Sequence, residues 1–145
     1  MTMKKFLKVD EWNIIEEGFH ADNLRASESI FSLGNGRFGQ RGNFEESYSS
    51  DSLQGSYVAG ITFLDRTRVG WWKNGYPRFF SRIPNTPDWS GIYVRLIDEE
   101  LDLAHWDVES YERRLDMKAG ISYRDFRVTS PKGNTLEVHV EHINS

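Results

Sequence analysis

Near the end of the chain apolar and polar residues alternate strictly. Leu136, Val138 and Val140 are separated by Glu137, His139 and Glu141, and Thr135 opens the run. Successive side chains of a strand point to opposite faces, so this pattern describes a strand with one buried and one wet face. The turn residues Pro131, Lys132, Gly133 and Asn134 stand just before it. Tyr123 to Ser130 and Thr135 to His142 therefore read as a hairpin. Asp107 to Met117 and Ile121 to Phe126 form a similar pair around Lys118, Ala119 and Gly120. Upstream, Trp12 to Phe19 reads as a first strand or extended arm. Ser56 to Leu64 and Ile92 to Ile97, rich in β-branched and aromatic residues, read as further strands. No segment reads as a convincing helix. Short strands with turn signals between them predict an all-β chain, an antiparallel β-sandwich in one domain over residues 1–145.

A second feature is the run from Glu28 to Glu46, ESIFSLGNGRFGQRGNFEE. Gly34, Gly36 and Gly39 spell the glycine spacing of dinucleotide-binding folds. That spacing has meaning only where the turn joins a strand to a crossover helix. The Ser-rich residues Glu45 to Gly55 lack helical periodicity, so a hairpin is the better reading. Ile30, Phe31 and Leu33 lead into Asn35-Gly36, a dipeptide that accepts positive φ, and Phe38 begins the return. Gly39 and Gly42 are expected at close backbone approaches or bulges. Arg37 and Arg41 are left to point at something.

Composition narrows the partners. With 145 residues, 22 acidic and 18 basic side chains, the formal charge is −4, which supports neither nucleic-acid nor anionic-membrane binding. There is no cysteine, hence no disulfide or thiolate chemistry. Lys8 and Asp10 interrupt any apolar leader segment, and no stretch approaches a membrane span. A cytoplasmic location is the default expectation.

Candidate chemistry is sparse. Asp98, Glu99, Glu100 and Asp102 form the densest carboxylate group, the residue type that glycoside cleavage requires. Their position between strands reads as a solvated acidic turn. His139 and His142 are spaced like a ligand pair, but residues three apart on a strand face opposite ways, and no metal site is expected. Ser49, Ser50 and Ser52 have no histidine that sequence alone can place beside them. The aromatic cluster Trp71, Trp72, Tyr76, Phe79, Phe80 and Trp89 sits among glycines and prolines. Flat rings there could stack on sugars, with Trp71, Trp72 and Tyr76 as the platform of a free-standing carbohydrate-binding module, or could plug a core or dock on another domain.

The Glu28–Glu46 run resembles the L-G-N-G-x-x-G-x-R-G signature in the N-terminal domain of glycoside hydrolase family 65, the maltose, trehalose and kojibiose phosphorylases and their hydrolase relatives. Pro84 to Trp89, followed by IYVRLIDEELDL, resembles that family's next loop and strand. Tyr111 to Met117 with Gly120 and Arg124 resembles its Y-x-R-x-L-D-x-x-x-G-x-x-x-R segment. Arg37 stands where relatives often carry an aromatic, and the turn after Asp98 has Glu-Glu in place of a glycine.

The resemblance implies a β-supersandwich of the galactose mutarotase type, shorter here than in the family and so a truncated piece. The family's catalytic acid lies in a following (α/α)6 barrel and transfers to no residue of this chain. Such enzymes cleave an α-linked glucose disaccharide with inversion, using inorganic phosphate as co-substrate, or water in the hydrolases, and no cofactor. The expected role is to brace the barrel, shape one wall of the active-site entrance and help dimerise, small sugars being possible ligands. Asn35, Arg37, Arg41 and Glu45 are the residues expected to face the barrel or the sugar. Strands left uncovered are expected to favour homo-oligomers.

Overall fold

The computed structural model describes residues 6–68 and 77–143. In chain order the elements are β1 (Leu7–Val9), β2 (Asn13–Glu17), a 3₁₀ turn (Ala21–Asn23), α1 (Leu24–Ile30), β3 (Leu33–Gly34), β4 (Phe38–Gln40) and β5 (Ser56–Val58). They continue with β6 (Phe63–Arg66), β7 (Phe79–Arg82), β8 (Arg95–Leu96), β9 (Glu99–Glu100), β10 (Asp107–Asp116), β11 (Ile121–Thr129) and β12 (Thr135–Ile143). The main sheet has the order β1-β2-β10-β11-β12, and every neighbouring pair is antiparallel. A three-stranded sheet β3-β4-β5 and two hairpins, β6-β7 and β8-β9, complete an all-β, antiparallel, sandwich-like architecture.

The last two hairpins form where the alternation places them. One strand, β11, serves both: it pairs Tyr111 with Phe126 on one side and Phe126 with Val138 on the other. Gly120 and Gly133 take φ of 70° and 86°, values that favour glycine, and so close the two turns. The core lies on the inner face of β10 and β11, where Tyr111, Phe126 and Val128 pack with Leu24, Phe44, Leu101, Leu103 and Trp106. Each such side chain contributes about 1.5–3 kcal/mol on burial.

Three expectations are corrected. α1 is a helix of two turns, in a chain that reads as having none. Its buried stripe is Leu24, Ser27 and Glu28, spaced as a helix requires but two-thirds polar, so hydrophobic periodicity cannot reveal it. Ser56–Leu64 is not one strand: Gly60, at φ 82°, breaks it into β5 and β6. Of Ile92–Ile97 only Arg95 and Leu96 form a strand. Ile97 turns the chain at φ 60° and is the one non-glycine residue with positive φ among the described residues.

Candidate functional site

The glycine-rich run folds back as a hairpin, shifted by one residue from expectation. Leu33 pairs with Gln40 and Gly34 with Gly39. Gly36 has φ 85° while Arg37 does not enter the positive range, so Gly36 and Arg37 are the central pair, with the φ pattern of a type II′ turn. Asn35 precedes the turn and caps it. Its Oδ1 accepts hydrogen bonds from the Arg37 and Phe38 amides at 2.9 and 2.8 Å. Arg37 is carried at the exposed tip, with Phe38 edge-on to Trp89 at 5.9 Å beside it. Gly42 is a close approach: a Cβ there would lie 2.8 Å from Phe31 Cβ and 2.9 Å from its carbonyl oxygen. Gly39 is not; a Cβ there would meet open space.

Arg41 and Glu45 occupy different surroundings from the tip. Arg41 Nε donates to the Leu53 carbonyl at 2.7 Å, and its Nη2 to the Arg25 carbonyl at 2.9 Å, with Glu28 at 3.5 Å. Buried Glu28 in turn accepts from Asn43 Nδ2 and the Leu53 amide, both at 2.9 Å, and from the Ser52 hydroxyl. These bonds tie the segment after the hairpin to α1. The loop after Phe44 carries a buried ion pair. Arg124 Nη1 donates to Glu46 Oε1 and Nη2 to Glu45 Oε2, both at 2.6 Å, with a second contact to Glu46 that makes the pair bidentate. Burial opposes the charge of Glu45, but His142, 3.3 Å away, and Arg124 outweigh it and hold its carboxyl down to about 2.

Across the main sheet Glu16, Arg113 and Arg124 stand in one register row on β2, β10 and β11. Both guanidinium groups lie over the Phe44 ring, Arg113 at 5.1 Å and Arg124 at 4.6 Å from its centroid. Arg113 Nη1 donates to the Gly42 carbonyl at 2.9 Å. Glu16 accepts from the Ser27 hydroxyl at 2.8 Å, and burial pushes its carboxyl above the ordinary range. Sequence reasoning missed this buried row as a site. Its signal was present: Arg113 shares strand parity with Tyr111 and Leu115, and Arg124 with Phe126 and Val128.

Three of the candidate carboxylates, Asp98, Glu99 and Asp102, are held low. Asp98 lies against Lys132, which holds its carboxyl low, and Glu99 is held low by the Ser130 hydroxyl. Burial disfavours the Asp102 carboxylate, yet hydrogen bonds from Ser49, Ala104 and His105 lower it overall. A general acid needs the opposite shift. Ser49, which lacked a placeable base in sequence, does meet one: His105 Nδ1 lies 3.1 Å from its hydroxyl. Asp102 reaches that same nitrogen at 3.1 Å, so the imidazole cannot link carboxylate to hydroxyl through its two nitrogens as a triad does. His139 faces Asp125 and Glu141 on the outer face, and His142 faces Glu45 on the inner one. Trp71, Trp72 and Tyr76 lie outside the described residues. No helix among the described residues is long and apolar enough to cross a membrane.

Comparison with known proteins places this geometry in context. Residues 14–145 match the glycosyl hydrolase family 65 N-terminal domain. The chain is 46% identical over 124 residues to the maltose phosphorylase of Bacillus subtilis, covering 86% of this chain and 16% of that protein. It is 34% identical over 147 residues to the alpha,alpha-trehalose phosphorylase of Thermoanaerobacter brockii, covering 99% and 19%. A solved structure described as a kojibiose phosphorylase from the human microbiome superposes with a TM-score of 0.82 at 31% identity, over 94% of this chain and 18% of that one. The chain thus spans less than a fifth of the length of these relatives.

Proposed function

Because this chain belongs to glycosyl hydrolase family 65 through that family's N-terminal domain, we propose that it is the non-catalytic β-sandwich domain of an inverting α-glucoside phosphorylase of the maltose phosphorylase kind, or of a related hydrolase. Its task is to brace the catalytic barrel and to shape one wall of the active-site entrance. The observation that carries this reading is the stretch from Tyr57 to Glu100. No described residue in it is buried, yet it displays Ile61, Phe63, Leu64, Phe79, Ile83, Ile92 and Tyr93 to the outside. Apolar surface on this scale is kept by a chain that covers it with something else. The occupant is the rest of the same polypeptide, since the matched relatives are five to six times longer than the aligned stretch. Arg37 and Asn35, at the tip of the β3–β4 hairpin whose Phe38 packs against Trp89 of that stretch, supply the polar part of that wall.

Hydrogen exchange on the full-length protein tests the bracing role. Amides of residues 57–68 and 77–97 should exchange as slowly as those of flanking core segments; exchange at open-loop rates would remove the docked arm. For the entrance, Arg37→Ala in the full-length enzyme should raise KM for the disaccharide while leaving the melting temperature in place, and an unchanged KM would take Arg37 out of that wall.

A further inference from the structure

Two buried side-chain atoms find no hydrogen-bond partner among the described residues: Arg113 Nη2 and Gln40 Oε1. One is a charged donor and the other a neutral acceptor. Both residues are almost wholly enclosed, at 2% and 5% exposure. They come from different sheets, Arg113 from the middle of β10 and Gln40 from the end of β4. Both line the same cavity, of about 20 Å³, between the glycine hairpin and the main sheet. Isolated buried orphans are rare because each forfeits its solvation, and two around one small void call for a shared partner.

We infer that this cavity is the binding site of one internal water molecule, which accepts a hydrogen bond from Arg113 Nη2 and donates one to Gln40 Oε1. The volume exceeds the ~10–15 Å³ that a single water needs. The lining arginines Arg41, Arg113 and Arg124 disfavour a metal cation, and a halide has no proton to give Gln40 Oε1. A water molecule, both donor and acceptor, can satisfy the two orphans at once. The consequence is mechanical. Gln40 gives its amide nitrogen to the Ser90 hydroxyl and Arg113 gives Nη1 to the Gly42 carbonyl, so a bridging water closes a circuit from the 84–90 loop through β4 to the main sheet. The end of β4 at Gln40 is thereby joined to β10 by a solvent molecule, beside the direct bond from Arg113 to the Gly42 carbonyl.

Crystals of the protein diffracting well enough to place solvent, examined before and after a bromide soak, test this site. The expected result is one peak within about 3.2 Å of both Arg113 Nη2 and Gln40 Oε1, without anomalous signal after the soak. An anomalous peak would replace the water by an anion, and a void without density, or an Arg113 side chain swung onto Glu16 or Glu45, would abolish the site. In solution, a cross-peak between water and the Gly42 or Arg113 amide with the sign of a long-lived molecule should be present in the wild type and lost in Gln40→Leu. Its presence in both proteins would break the assignment of Gln40 as the acceptor.

Discussion

Residues 101–143 and residues 57–100 treat polarity in opposite ways. The first stretch, with the elements before Tyr57 laid against it, buries charge: Glu16, Glu28, Glu46, Arg113 and Arg124 are all enclosed. The second displays Ile61, Leu64, Ile92 and Tyr93 and encloses nothing among its described residues. Neither arrangement follows from composition. Charge is tolerated inside the first because each carboxylate or guanidinium meets hydrogen-bonding partners from α1, the loops or neighbouring strands, which offsets desolvation. Apolar side chains stay outside in the second because two short hairpins, β6-β7 and β8-β9, offer no face broad enough to cover them.

The sharpest way to break this contrast is to remove the buried cation. Arg124→Met leaves Glu45 and Glu46 without their partner, and denaturant unfolding should show a loss of about 3–5 kcal/mol. Arg127→Met on the outer face, where Arg127 is half exposed and Glu137 largely so, should cost no more than about 1 kcal/mol. Equal losses would erase the distinction between the two pairs. Close in size is the packing test: Leu101→Ala should cost about 2–5 kcal/mol, against about 0.5 kcal/mol or less for exposed Leu64→Ala in the same chain.

Acid provides a third test. The folded carboxyl of Glu45, held at about 2, lies below its ordinary value of 4.5, so its stabilising contribution is complete above pH 4.5 and is lost as pH falls toward 2. The loss should be on the order of 3 kcal/mol. Glu16 has the opposite sign, since burial raises its carboxyl and acid relieves the cost of its charge. Glu16→Gln should therefore steepen the acid-induced decline, and an unaltered slope would separate Glu16 from the row. Next, Gly42→Ala forces a methyl group against Phe31 and its carbonyl, which should cost about 1–3 kcal/mol in thermal unfolding. The smallest effect has the reverse direction. Ile97→Gly relieves a β-branched residue held at φ 60° in an exposed turn, and should stabilise by about 0.5–1 kcal/mol.

How much could be read beforehand varied with the range of the interaction. The hairpins ending in β11 and β12 were legible because alternation and turn glycines are local signals, written within a dozen residues. The family signature was legible as well. α1 was not, because Ser27 and Glu28 are buried for the sake of Glu16 and Asn43, which are distant in sequence. The hairpin tip slipped by one residue because Asn35 is as able to cap a turn as to sit in it. Arg41 and Glu45 looked like outward-facing polar residues beside glycines, and the fold ties both into ion pairs of its own. The Ser49 and His105 contact joins side chains far apart in the chain, and no spacing rule announces it.

By itself the sequence determined strand periodicity, the placement of tight turns and membership of a family, since each is encoded in neighbours along the chain or in a short pattern of residue types. Only the tertiary structure decided which charges go inside and what satisfies them. Whether a guanidinium belongs in a core depends on the carboxylates, rings and carbonyls that meet it from other strands, and on whether the desolvation they must offset is matched by the bonds they make.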